Sequence, residues 1–215
     1  MWLRTDERRD VIASLKMCLI AVIGTRSDLA LWKWAILSLH NALQGAMVCH
    51  LSGTAQLGAL SEKCAYEWLK WYEKDASGEI ERVETGVDEF GVIQTKIVNQ
   101  QDLPPKEHLA TPLELFKRLY SDRKRIESGC GSILPLSQTD KKSFSVLNAF
   151  RNEFTHFSPK GWSIETEGLA VLFSNNLNIL EKIFNDPWPF RHMNNDDNEC
   201  LRKTLADLRE ELKKL

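Results

Sequence analysis

Residues 29–51, LALWKWAILSLHNALQGAMVCHL, decide the fold class of this chain. Their apolar side chains recur at the three- and four-residue spacing of an α-helix, and most other positions are apolar as well. The main stripe consists of Leu29, Trp32, Ile36, Leu39, Leu43 and Ala46, and the other faces carry Leu31, Trp34, Ala35, Leu37 and Ala42. Because a helix that is apolar on all sides is buried, this segment predicts the central helix of a bundle or a helix shared with a partner chain.

Further helices are predicted on both sides of this segment. Residues 6–23 and 57–74 have helical periodicity. The central helix and three later helices carry N-terminal start signals. The predicted N-caps are Ser27 for the central helix, Thr111 of the Thr-Pro-Leu-Glu capping box, Ser137 with Asp140 three residues on, and Ser163. The helices that follow the last three are expected to end at about Ser128, at Ser158-Pro159 and at about Phe184.

The last predicted helix starts in the Asn/Asp-rich run 194–198. Its leucines, at positions 201, 205, 208, 212 and 215, are spaced alternately by four and three residues. Two heptads are fewer than the three or four that indicate a coiled coil, so one more bundle helix is the simpler interpretation.

Residues 76–110 interrupt the helical pattern. Gly78, Gly86, Gly91 and the pair Pro104-Pro105 lie in this stretch, and the alternation of residues 92–97 permits a small hairpin. The sequence therefore predicts a single all-α domain over residues 1–215. We expect an up-and-down bundle of about five to six helices, with a loop or hairpin insertion at 76–110 and an appended helix at 195–215.

Composition excludes several classes of protein. Only 11 Gly and 7 Pro occur among 215 residues, which disfavours disorder and turn-rich β-sandwiches, and a net charge of −2 disfavours a general polycationic nucleic-acid binder. Five scattered cysteines without C-x-x-C spacing predict neither a disulfide framework nor a metal site. Lys33, His40, Asn41 and Gln44 interrupt the most apolar segment, so we expect a cytoplasmic chain that does not insert into a membrane.

The segment from Asn148 to His156 carries the chemistry. On a helix, Arg151, Asn152 and His156 fall on one polar flank about 140° wide, together with Ser145, Asn148 and Thr155. A helix flank that contacts only solvent is usually rich in Lys and Glu. This flank contains neither, and its composition is suited to a functional site or a hydrated interface. Arginine binds phosphate oxygens with two parallel hydrogen bonds, and histidine transfers protons near neutral pH.

Arg151 and His156 are five residues apart, about 140° around the helix. Within one chain they converge only through the reach of the arginine. A two-fold axis beside the helix would instead bring two arginines and two histidines to one cleft.

The order Arg, polar residue, three residues, His and then an aromatic, on a late helix of a helical chain, resembles the R-x(4–6)-H signature of the HEPN superfamily. The segment Leu39 to Ala46, LHNALQGA, also resembles the opening helices of that family. The resemblance implies a helical bundle, a homodimer with both motifs in one cleft, and a metal-independent endoribonuclease without cofactors. Some members act as toxins, which implies an antitoxin or another regulatory partner, and others lack activity.

By this resemblance Arg151 and His156 are the ends of the motif and Asn152 is its polar second residue. An RNA 2′-hydroxyl would attack the adjacent phosphorus, His156 would act as general base or acid, and Arg151 would stabilise charge on the phosphoryl oxygens. Asn152 would orient His156 or the phosphate. The alternative is a non-catalytic dimerisation or RNA- or nucleotide-binding module that uses the same flank.

Three further features have competing interpretations. A basic stretch around Tyr120 either guides the RNA backbone or is a solvated helix face. Its members are Lys117, Arg118, Arg123, Lys124 and Arg125. His40, on the apolar central helix, is expected to be a hydrogen-bonded core or interface residue rather than a catalytic one. Trp162 is expected either to pack against other side chains or to line the proposed cleft.

Overall fold

The computed structural model describes residue 2, residues 5–156, residue 159 and residues 161–215. Within these residues the chain is mostly helical, with one small antiparallel sheet. The helices are α1 (Glu7–Gly24), α2 (Trp32–Leu51), α3 (Glu62–Ala76), α4 (Pro112–Tyr120), α5 (Gln138–Thr155), α6 (Leu169–Phe184) and α7 (Asn195–Leu212), and the strands are β1 (Arg82–Val87) and β2 (Ile93–Ile97). The described residues thus contain seven α-helices, against the five to six expected from the sequence.

The chain divides into two compact units. The first comprises Met1–Gly58 and Thr111–Leu215, and the second comprises Ala59–Ala110. Six of the seven described helices belong to the first unit and α3 belongs to the second, so the second unit is wider than the segment 76–110 in which an insertion was predicted.

Helix α2 is the centre of the first unit, as its all-round apolar sequence predicts. It packs against α1, α4, α5 and α6, and α7 covers α1 and α6. The side chains of Ala35, Ile36, Leu39 and Leu43 are fully buried. The start of the helix differs from the prediction: Asp28, not Ser27, provides the cap, because its carboxylate accepts from the Ala30 N–H at 2.9 Å and begins a 3-10 turn before Trp32.

The two predicted capping boxes are confirmed. Thr111 and Glu114 cap α4 reciprocally, and Ser137 and Asp140 do the same for α5. Each pair satisfies two of the N–H groups that a helix start leaves without an intrahelical partner.

Three predicted helix boundaries are wrong. Helix α4 ends at Tyr120 rather than near Ser128, because a 3-10 turn follows at Asp122–Lys124. Helix α6 begins after Gly168 rather than after Ser163, and α3 begins after Ser61 rather than at residue 57. At each of these points the chain makes turns that the apolar periodicity does not encode.

The C-terminal helix α7 is one more helix of the bundle. Its side chains at Leu201, Leu205, Leu208 and Leu212 are buried within the chain, and Asn194 caps its N-terminus. The four–three leucine spacing therefore serves packing on α1 and α6 rather than a coiled coil.

The second unit consists of α3, a hairpin and connecting turns. Strands β1 and β2 pair antiparallel with Val83 opposite Lys96 and an irregularity between Glu84 and Gly86, which confirms a hairpin that includes most of residues 92–97. The Trp71 indole donates to the Asp102 carbonyl at 2.7 Å and so ties α3 to the segment that follows the hairpin. Among the helices that the structure describes, none combines the length and apolar composition that crossing a bilayer requires.

Candidate functional site

Helix α5 is held firmly at its N-terminal end. Besides the capping box, Asp140 forms a salt bridge of 2.7 Å with Lys182 of α6. Burial alone would raise the pKa of Asp140, but the bonds from Lys182 and Ser137 outweigh it and hold that pKa below its usual value. The opposite end of α5, which carries the predicted motif, is therefore presented on a fixed helix.

Arg151 and Asn152 are in direct contact. The Arg151 Nη1 donates to Asn152 Oδ1 at 3.1 Å, and both side chains are half-buried. Among the described residues, the other guanidinium N–H groups of Arg151 have no hydrogen-bond partner. The guanidinium therefore keeps donors for a ligand while Asn152 fixes its orientation.

His156 lies at the end of the same helix. It is the C-cap of α5, with φ −109° and ψ 85°, so the chain leaves the helix at this residue. Its backbone N–H donates to the Asn152 carbonyl at 2.8 Å, and its side chain is exposed. The prediction that α5 runs through to Ser158-Pro159 is wrong at its last turn. Phe157, the last residue of the predicted apolar stripe, and Ser158 lie outside the described residues.

The inner edge of the polar flank faces α2. Asn148 is buried, and its Oδ1 lies 3.0 Å from Nε2 of His40, which is fully buried. Burial lowers the pKa of His40 to about 4, the bond with Asn148 acts in the opposite direction, and the nearby charge of Arg151 lowers it further. Because an amide oxygen only accepts, the neutral His40 carries its proton on Nε2.

The expected hydrogen-bonded core histidine is thus confirmed at His40. Its Nδ1 has no hydrogen-bond partner among the described residues. Sequence reasoning did not connect His40 with the motif, because the two lie 108 positions apart and no local signal pairs them. The polar flank is consequently divided into a buried edge at Asn148, a half-buried pair at Arg151 and Asn152, and an exposed edge at Thr155 and His156.

The structure does not bring the five predicted basic residues onto one face. Arg118 is 2% exposed, and its Nη1 donates to the Gly58 carbonyl at 2.9 Å. Arg125 donates to the carbonyls of Arg118, Gly131 and Ser132. The hydrogen bonds of these two guanidinium groups are made to carbonyls of the chain itself, so both groups contribute to the fold.

Lys117, Arg123 and Lys124 are exposed. Lys117 lies on α4, whereas Arg123 and Lys124 lie on the 3-10 turn beyond it, because α4 ends eight residues earlier than predicted. Only these three remain available as surface cations of the predicted stretch.

Glu127 is a structural residue that the sequence did not reveal. Its carboxylate accepts hydrogen bonds from the backbone N–H groups of Gly53, Ala55 and Gly58 at 3.0, 3.0 and 2.7 Å. It therefore fixes the turn that follows α2, and nothing in the spacing of these residues indicates the contact.

Two cavities adjoin α5. One, of about 590 Å³, lies against Lys142, Val146 and Phe150, and the other, of about 510 Å³, lies against Glu153 and Phe154. Neither is lined by Arg151, Asn152 or His156. In the described part of the chain no group of three or more His, Cys, Asp or Glu side chains is arranged to hold a metal ion.

Comparison with known proteins identifies no relative: no family model, no curated protein and no solved structure matches this chain.

Proposed function

We propose that this protein is a metal-independent endoribonuclease of the HEPN type that works as a homodimer. The observation that carries the proposal is the C-terminal end of α5, where Arg151, Asn152 and His156 lie within two turns on a helix anchored to α2 and α6. Their order matches the motif described above, and their side chains supply a phosphate-binding group and a proton-transfer group.

The chemistry assigns one role to each residue. His156, with an exposed imidazole, takes the proton of an RNA 2′-hydroxyl or gives one to the leaving 5′-oxygen. Arg151 binds the non-bridging oxygens and stabilises the charge that develops on them. Asn152 orients Arg151 through the bond from Nη1 to Oδ1.

The positions of Arg151 and His156 support the proposal of a dimer. Within one chain the Arg151 guanidinium is directed to Asn152, and His156 lies beyond the end of the helix. A second copy across a two-fold axis would place the His156 of each chain opposite the Arg151 of the other. We therefore expect a composite site at the dimer interface.

The second candidate is a non-catalytic module that binds RNA or nucleotides. The contact between Arg151 and Asn152 favours it, because an arginine held by its neighbour recognises phosphate without the participation of His156. This candidate predicts binding without turnover.

The test is cleavage of end-labelled RNA in the presence of EDTA. Wild-type protein is expected to leave 2′,3′-cyclic phosphate ends, and Arg151→Ala and His156→Ala are each expected to lower the rate at least about 100-fold. The matched control is His192→Ala, which removes an exposed histidine outside α5. Circular dichroism and thermal melting establish that each variant is folded.

The outcomes separate the candidates. Undiminished cleavage by His156→Ala would exclude the mechanism. RNA binding without cleavage, lost in Arg151→Ala, would establish the second candidate instead.

Mixing the two inactive variants tests the composite site. A heterodimer of Arg151→Ala with His156→Ala retains one intact Arg–His pair only if each site draws its two residues from different chains. Recovery of cleavage on mixing supports the shared site, and a monomeric mass in analytical ultracentrifugation contradicts it.

A further inference from the structure

The cavity of about 510 Å³ adjoins the end of α5 that carries the proposed catalytic residues. Its walls come from the start of α2 (Trp32, Lys33), from the end of α5 (Glu153, Phe154) and from residues 162–166 before α6. Phe154 follows Arg151 by three residues, so the two are neighbours on the helix surface. The cavity therefore begins within one helical turn of Arg151, the residue that we propose binds the phosphate.

The cavity is walled by aromatic rings. The rings of Phe154 and Trp162 meet edge to face, with centroids 4.6 Å apart and planes at 63°. Trp32 also lines the cavity, is buried, and packs edge-on to Phe173 with ring centroids 5.2 Å apart. Trp162 is 42% exposed, so one part of its ring remains open to a flat ligand. Such walls suit a planar aromatic group, since every nucleobase stacks on an indole.

Glu153 supplies the polar recognition. Its side chain is exposed, lines the cavity and has no ion pair or hydrogen bond with the described residues. A carboxylate accepts two parallel N–H bonds from one planar partner. Among the four RNA bases, guanine alone presents two adjacent N–H donors, at N1 and the 2-amino group, whereas the other three place an acceptor beside each donor on that edge.

A guanidinium group also offers paired N–H donors, so an arginine of a protein partner is the competing ligand. The lining of this cavity includes Lys33 as well as Glu153, and its formal charges therefore cancel. A neutral base suits such a lining better than a cation, and the volume of the cavity is several times that of a guanidinium.

We propose that this cavity binds a guanine base of single-stranded RNA and so sets the base beside which the chain is cleaved. This inference rests on the proposed function, because it assigns the base preference of the same site. Glu153 accepts from the guanine edge, and Trp162 stacks on its face.

The experiment measures binding of the four nucleoside 5′-monophosphates to the whole protein by calorimetry. We expect GMP to bind at least tenfold more tightly than AMP, CMP or UMP. Glu153→Gln and Trp162→Ala are each expected to weaken GMP binding about tenfold. The matched controls, Glu167→Gln and Trp34→Ala, alter exposed residues outside the lining and are expected to leave the affinity unchanged.

Several results would overturn the assignment. These are equal affinity for all four monophosphates, no binding of any of them, or tighter binding of arginine amide than of GMP. Binding of GMP that survives both Glu153→Gln and Trp162→Ala places the base elsewhere and also overturns it.

The two proposals fail in different ways. If the wild-type protein cleaves RNA without a guanine preference and does not bind GMP, the proposed guanine site is excluded and the proposed ribonuclease activity stands. If the protein binds GMP selectively but does not cleave RNA, the proposed ribonuclease activity is excluded and the proposed guanine site stands.

Discussion

His40 of α2 and Asn148 of α5 are joined by a buried hydrogen bond of 3.0 Å between Nε2 and Oδ1. Asn148 lies one turn before Asn152 and three residues before Arg151, so this bond fixes the helix at the level of the candidate site. His40 also stacks with Phe144 of α5, with centroids 6.1 Å apart. The central helix of the bundle thus sets the orientation of the residues to which we assign phosphate chemistry.

The buried histidine makes the stability of the protein depend on pH. Burial lowers the pKa of His40 from 6.5 to about 4, so between these values the unfolded state binds a proton that the folded state does not. The contribution of neutral His40 to the free energy of unfolding is therefore fully present above about pH 6.5, and it is lost as the pH falls toward 4. We expect His40 to account for a loss of about 2 kcal/mol between about pH 8 and pH 5.

Urea denaturation of wild-type and His40→Gln protein across this range checks that prediction. The variant is expected to be less stable at pH 8 but to lose about 2 kcal/mol less on acidification. His192→Gln, at an exposed position, is expected to follow the wild-type curve. Identical pH slopes for wild-type and His40→Gln would contradict the assignment.

Arg118 and its neighbour Lys117 are expected to behave differently although both are basic residues of α4. Arg118→Met breaks a buried bond to the Gly58 carbonyl and is expected to destabilise the protein by about 1.5–3 kcal/mol. Lys117→Met changes an exposed side chain and is expected to alter stability by less than about 0.5 kcal/mol. Equal free energies of unfolding for the two variants would show that Arg118 is not a structural residue.

Glu127 is expected to be essential for the turn after α2. Glu127→Gln replaces a carboxylate that accepts three backbone N–H bonds by an amide with a single acceptor oxygen. We expect a loss of about 1.5–3 kcal/mol, measured by chemical denaturation. Asp122→Asn, an exposed acidic residue nearby, is the control and is expected to be neutral.

Two leucines, one in α7 and one three residues after its end, form a matched pair. Leu208 is fully buried, whereas Leu215 is 50% exposed. Leu208→Ala is expected to cost about 2–5 kcal/mol through the cavity that it leaves, and Leu215→Ala less than about 0.5 kcal/mol. Thermal melting compares the two, and a neutral Leu208→Ala would mean that α7 does not stabilise the bundle.

Local signals in the sequence were sufficient for the starts of α4 and α5 but not for every helix boundary. Thr111 with Glu114 and Ser137 with Asp140 lie within one turn, and the structure contains both capping boxes. The end of α4 depends instead on Arg125, which turns back to the Arg118 carbonyl at 3.1 Å and binds the loop at Ser132. Such contacts arise only after folding, so periodicity extended the helix too far.

The candidate site was predictable to a similar degree. Helical spacing placed Arg151, Asn152 and His156 near one end of α5, because that depends on the helix alone. The burial of Asn148 depends on His40, a residue of another helix, and the cavity at Glu153 depends on the return of the chain to Trp162. Both features require knowledge of which elements are neighbours in space.

The ends of the second unit lie side by side. The N–H of Ala110, its last residue, donates to the carbonyl of Ala59, its first, at 2.9 Å, and Leu60 and Leu109 form an antiparallel bridge. A segment whose two ends coincide in this way is exchangeable: a linker of a few residues can join positions 58 and 111 with little loss of chain entropy. Insertions or replacements of this unit can therefore be acquired in evolution, or introduced by engineering, without a change in the connectivity of the helices that carry Arg151 and His156.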